Sequence, residues 1–156
     1  MPTHTNGEIF ILTTDPSDVS KHAGTYKLTT KKSGYFYHMG QWVDLNNDGR
    51  LDYLTARSNA KQGGGELVWL EHPEGGLAST PWKEHVLTKG PDVMFDVIEH
   101  PSNPDSYFLF ASEFFNKELS MYEIDKKTAT VVNSRLIDGN IDSAYSVKFI
   151  DIDHDG

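Results

Sequence analysis

The sequence contains no cysteine. That excludes disulfides, thiolate zinc sites, iron–sulfur clusters and a cysteine nucleophile, and it leaves the compartment open. No apolar run approaches the ~18 residues that a membrane-crossing helix needs, so no membrane span is expected. The opening residues, MPTHTNGEIFILTTDP, lack the basic segment and the long apolar stretch of a secretory signal. No Asn-x-Ser/Thr acceptor for N-glycosylation occurs. Basic residues are few: 14 Lys and Arg stand against 23 Asp and Glu, for a formal charge of −9. A field of that sign repels phosphate backbones, so nucleic acid is not expected as a partner. No 12-residue window holds a sustained i, i+3, i+4, i+7 apolar stripe, which argues against long amphipathic helices. There is no Gly-x-Ser-x-Gly elbow, no phosphate loop and no His-Glu-x-x-His.

What is present is a chain of 156 residues, 37% hydrophobic, with 8 Phe, 7 Tyr and 3 Trp. A chain near this size hides roughly 70% of its unfolded surface, enough for a sizeable core. Glycine and proline punctuate it every few residues. Between them lie short segments rich in β-branched and aromatic residues: Glu8–Thr13, Tyr35–Val43, Tyr53–Ala56, Glu66–Leu70, His85–Thr88, Val93–Ile98, Tyr107–Ser112, Ser120–Ile124, Thr130–Val132 and Ser146–Ile150. These are strand lengths with turn signals at regular spacing, and they predict an all-β fold. Phe114–Glu123 could form a short helix by propensity, but Ser120-Met-Tyr reads better as strand.

The chain also repeats. Trp42–Ala56 aligns with Val97–Ala111 at an offset of 55, and a further copy begins at Phe149-Ile-Asp151, 52 residues on. Glu66–Glu71 matches Leu119–Ile124, and Glu84–Leu87 matches Ser134–Ile137. At the N-terminus Gly7–Leu12 resembles Gly65–Leu70, with Gly24–Leu28 as the strand to follow. About four strands in just over 50 residues is the pattern of a β-propeller blade. The expected units are a half blade (1–33), a blade (34–90), a second blade (91–141) and the start of a third (142–156). A closed ring needs at least ~4 blades. The chain is therefore expected to be the front part of a longer propeller or a fragment that must assemble.

The strongest local signal is Asp44-Leu-Asn46-Asn-Asp48-Gly49-Arg50-Leu-Asp52. Side-chain oxygens stand at its first, third, fifth and ninth positions, Gly49 permits a sharp turn, and Arg50 can offer its carbonyl. Calcium takes about 6–8 oxygen ligands in flexible geometry, which this spacing suits. Three carboxylates held together without a cation would repel one another. An EF-hand is excluded, because the twelfth position is Thr55 and both flanks are strand-like. A second copy starts at Asp151-Ile-Asp153-His-Asp155-Gly156 and supplies the first, third, fifth and sixth positions only. The middle copy has Glu99, Asn103 and Asp105 with two prolines, and Tyr107 in place of the ninth-position acid; it is expected to be metal-free.

A strand, an Asp-x-Asx-x-Asp-Gly-x-x-Asp loop and a second strand, repeated at this period, resemble the FG-GAP/VCBS repeat family of calcium-bearing β-propellers. The resemblance implies a propeller with structural calcium between the first two strands of a blade. It implies Asp44, Asn46, Asp48, Arg50 and Asp52 as ligands, and Asp151, Asp153 and Asp155 at the second copy. The Phe-Gly and Gly-Ala-Pro signatures of the integrin subgroup are absent, so the likeness is to the broader VCBS pattern.

Other chemistry is thin. Seven His are scattered, at 4, 22, 38, 72, 85, 100 and 154, and a zinc site would need two or three of them to converge. Trp69, Trp82 and Tyr122 sit at matched repeat positions and read as core between units, not as a sugar platform. The first functional reading is a binding module for a protein or glycan ligand, with Ca2+ structural. An alternative is an enzyme: Gly64–Pro73 and Trp82–His85 resemble the propeller part of fungal aldos-2-ulose dehydratases, which are sugar lyases. A third is a scaffold that self-associates through an open blade edge. Calcium at such loops suits an extracellular or secreted setting.

Overall fold

A computed structural model describes residues 6–59 and 64–153. Among them there is no helix, and twelve strands form four antiparallel sheets, none of them closed. Strands β2 (Phe10–Asp15) and β3 (Asp18–Lys27) make a hairpin. Two short pieces, β1 (Asn6–Gly7) and β4 (Lys32–Ser33), pair with each other. Strands β5 (Tyr35–Val43), β6 (Asp52–Asn59), β7 (Gly65–Glu71) and β8 (Lys83–Lys89) pair in chain order as a four-stranded meander. So do β9 (Met94–Glu99), β10 (Ser106–Glu113), β11 (Glu118–Asp125) and β12 (Thr130–Asp138).

The all-β expectation therefore holds for the described residues, and β5 spans the segment expected for it. Phe114–Glu123 is no helix; β11 takes its second half. The first hairpin's return strand begins at Asp18, well before the Gly24 expected from the repeat.

The two meanders lie face to face over one core. Leu45, Leu54, Ala56, Leu67 and Trp69 meet Phe95, Tyr107, Leu109, Ala111, Tyr122 and Ile124. Each large apolar side chain buried there contributes about 1.5–3 kcal/mol relative to exposure. A second, smaller core covers the opposite face of the first meander, where Leu70 and Trp82 meet Leu28, Ile9 and Ile11 from the hairpin side. The β5–β8 sheet is thus the middle layer of three. Strand β6 shows it directly: Leu54 through Ser58 are all buried, without the alternation of a one-sided sheet. Trp69, Trp82 and Tyr122 are core residues, as their repeat positions suggest.

Glycine marks the close approaches. A Cβ on Gly65 would fall 2.3 Å from Asp92 Cβ and 2.4 Å from Asp92 Cα, so the first meander can touch the link into the second only with no side chain there. A Cβ on Gly40 would fall 2.1 Å from the Tyr53 hydroxyl.

Ser146–Ile150 is not a strand, contrary to expectation. Among the described residues no strand pairs with it, and its polar groups go to side chains instead. The Phe149 N–H donates to Asp96 Oδ2 (3.0 Å) and Lys148 Nζ to Asp96 Oδ1 (2.9 Å), while the Phe149 ring stacks on Phe110 at 5.3 Å. On the other side, Gln41 Nε2 donates to the same Asp96 Oδ1 (3.4 Å). Gln41, Asp96 and Lys148 hold the same position in successive repeats. Equivalent residues of neighbouring units are therefore in contact.

Candidate metal loop

The loop between β5 and β6 is folded by its own polar side chains. Asp44 accepts the N–H of Asp48 on Oδ1 (3.0 Å) and that of Gly49 on Oδ2 (2.9 Å). Asn46 Oδ1 accepts from the Asp48 N–H (3.2 Å), and Asp48 Oδ1 from the Arg50 N–H (2.9 Å). These are the short-range side-chain-to-backbone bonds that Asp and Asn favour in turns. Asn47 and Gly49 take positive φ (56° and 84°), which Asn tolerates and Gly adopts freely. The Arg50 guanidinium bridges outward: Nη2 meets Asp48 Oδ2 at 2.5 Å, and Nε donates to the His72 carbonyl (3.2 Å) just past β7.

Asp52 is also held from within the fold. It is fully buried, and each carboxylate oxygen already accepts a backbone N–H: Leu45 on Oδ2 (3.0 Å) and His72 on Oδ1 (2.8 Å). It ties the start of the loop to the end of β7. Burial pushes its carboxyl up, the two N–H donors pull it down, and the nearby Asp48 and Asp44 charges push it up again; the net direction is upward. The Asp44 carbonyl accepts the Tyr107 hydroxyl (3.0 Å), which joins this loop to the second meander. Tyr107 is pushed up to about 12 by burial, then by the charges of Glu99, Asp44 and Asp52.

Among the described residues no three His, Asp or Glu side chains gather as a metal-holding group. The loop instead presents two carboxylates, Asp44 and Asp48, with the Asn46 amide bonded between them, and Asp52 held by backbone N–H groups. This all-oxygen set fits a hard cation such as calcium. Both Asp44 oxygens and Asp48 Oδ1 take one backbone N–H each and can accept a second bond, while Asp48 Oδ2 already accepts from Asn46 Nδ2 (3.2 Å) and Arg50 Nη2. In the second copy Asp151 is half-buried and Asp153 exposed, while Asp155 lies outside the described residues.

The His residues do not converge. His72 stacks on Trp82 (4.6 Å), His85 stacks on Trp69 (4.3 Å) and bonds Glu71 (2.8 Å), and His100 packs on Phe108. Sequence reasoning missed a charged cluster on the hairpin side of the first meander. Arg57 is fully buried, with Nε and Nη2 donating to Glu66 Oε2 (2.9 and 2.7 Å) and Nη1 lying 2.7 Å from Glu84 Oε1. Lys32 joins at Glu84 (3.4 Å), and Tyr35 lies against both cations. An arginine among buried strand neighbours was the available signal.

No family model, curated protein or solved structure matches the chain.

Proposed function

We propose that the chain is a calcium-binding repeat module of the FG-GAP/VCBS type, with each meander a β-propeller blade and calcium serving structure. The observation that carries this reading is the 44–52 loop: the Asp44, Asn46 and Asp48 side chains are tied to one another's backbone over a few residues, next to the buried Asp52, which accepts two backbone N–H groups. Asp44, Asn46, Asp48, the Arg50 carbonyl and Asp52 would hold the ion, with the two N–H bonds of Asp52 also fixing the loop from below. A bound calcium would supply the charge compensation that Arg50 gives to Asp48 alone. Contacts between equivalent residues of successive units support the blade arrangement.

The ligand of such a module would be a protein or a glycan, and the setting extracellular or secreted, where calcium is millimolar. Self-association would use an open blade edge: β12 is an edge strand among the described residues and leaves Val132, Leu136 and Ile137 exposed. No observation among the described residues favours the sugar-lyase alternative.

Thermal unfolding with and without calcium tests the reading. At about 100 times its dissociation constant, calcium adds about 2.7 kcal/mol. For a chain of this size that raises Tm by about 5–10 °C. Asp44→Asn combined with Asp48→Asn should abolish the shift. A wild-type Tm that is the same in millimolar calcium and in EGTA removes the metal from the proposal.

A further inference from the structure

The second loop, between β9 and β10, is held by a cation of its own. Lys126 follows β11, and its side chain is only 13% exposed, which is rare for lysine. Its Nζ forms a close ion pair with Glu99 Oε2, donates to the Pro104 carbonyl (2.8 Å) and lies 4.3 Å from the centre of the Tyr107 ring. Its backbone N–H donates to the Asp105 carbonyl (2.9 Å). Glu99 and Tyr107 stand at the repeat positions of Asp44 and Asp52, and Pro104 at that of Gly49.

We propose that the Lys126 ammonium is the built-in cation of this loop, in the role that a calcium ion takes in the loop of the first unit; the comparison rests on the calcium reading, the ammonium dock does not. An ammonium has three donors and no acceptor. Here a carboxylate, a carbonyl and an aromatic face receive it. The exchange of acid for tyrosine at the ninth position follows from charge. Glu99, itself 69% exposed, pairs with the monovalent cation, and a carboxylate in place of Tyr107 would add a negative charge next to those of Asp44 and Asp52. The Tyr107 ring offers attraction without a formal charge. The first unit has no lysine at the matching place: Pro73 stands there, and its loop carries three carboxylates against one guanidinium.

Lys126→Met keeps the aliphatic stem and removes the charge. Its Tm should fall by about 3–8 °C, and by the same amount in EGTA as in calcium. Lys126→Gln, which keeps hydrogen-bond donors, should fall less than Lys126→Met. Terbium bound to the wild type should keep its stoichiometry in Glu99→Gln and lose an ion in Asp44→Asn. The Lys126 ammonium should also give a slowly exchanging Hζ–Nζ NMR signal in the wild type, which needs no variant to fold. A Lys126→Met protein that melts with the wild type in EGTA, a terbium ion lost in Glu99→Gln, or an ammonium signal absent at neutral pH would each overturn the proposal. If terbium and calcium bind nowhere, the calcium reading fails while the Lys126 deficit in EGTA stands.

Discussion

Replacing Arg57 by Met tests the buried charge cluster. The guanidinium is fully buried and serves two carboxylates, so the variant leaves Glu66 and Glu84 without their main partner. Breaking a buried ion pair from one side costs about 3–5 kcal/mol. Glu66 and Glu84 keep 18% and 29% exposure, so water recovers part of the loss and the lower end, about 3 kcal/mol, applies. That corresponds to a Tm lower by about 6–12 °C at neutral pH, read by calorimetry. Lys in place of Arg should recover little, because an ammonium cannot reproduce the fork to two carboxylates. Acid adds a second readout. Burial raises the Glu84 carboxyl, but the bonds and charge of Arg57, with Lys32, outweigh it and hold it below the usual glutamate range. A carboxyl depressed in the folded state adds stability that is complete above its unfolded pKa. It is lost as pH falls from about 4.3 downward through the folded value. In Arg57→Met that acid-dependent part should shrink. A variant within a degree of the wild type at neutral pH, with an unchanged acid limb, refutes the cluster as a source of stability.

Two further outcomes follow from the packing. Gly65→Ala places a methyl group 2.4 Å from Asp92 Cα and from the Pro91 carbonyl oxygen, backbone that cannot turn aside; it should cost about 1–3 kcal/mol, seen as a lower urea midpoint with the slope unchanged. Tyr122→Phe removes the hydroxyl that donates to Glu113 Oε1 at 2.6 Å inside the second meander. A hydrogen bond to a charged acceptor contributes about 1.5–3 kcal/mol, so Tm should fall by about 3–12 °C, whereas an equal Tm would mean that Asn116 and water satisfy Glu113 unaided.

The strands were legible because turn residues bound short aromatic and β-branched runs: Tyr35–Val43 needed only Gly34 before it and the acidic loop after it. The repeat was legible because the same strand order recurs around the same loop. The errors came from information that lies between segments. Ser146–Ile150 has strand composition, but a strand exists only with a partner, and its N–H and ammonium find the Asp96 carboxylate instead. Within the candidate site, spacing marked Asp52 as a ninth-position oxygen donor but said nothing of its burial or of its bond to the His72 N–H, which depend on where β7 ends, 20 residues away. Arg57 escaped notice because a lone arginine in a strand usually faces water, and only the middle layer of a three-layer stack forces it inward.

The contact line through Gln41, Asp96 and Lys148 sets an order on the units. One repeat position carries an amide, then a carboxylate, then an ammonium, and each is compatible with the residue that follows it. The units are therefore not interchangeable modules. A tandem duplication of the second would set one Asp96 carboxylate against another. Such a repeat of the second unit would lose stability at this one position, even where every strand and every core contact survived.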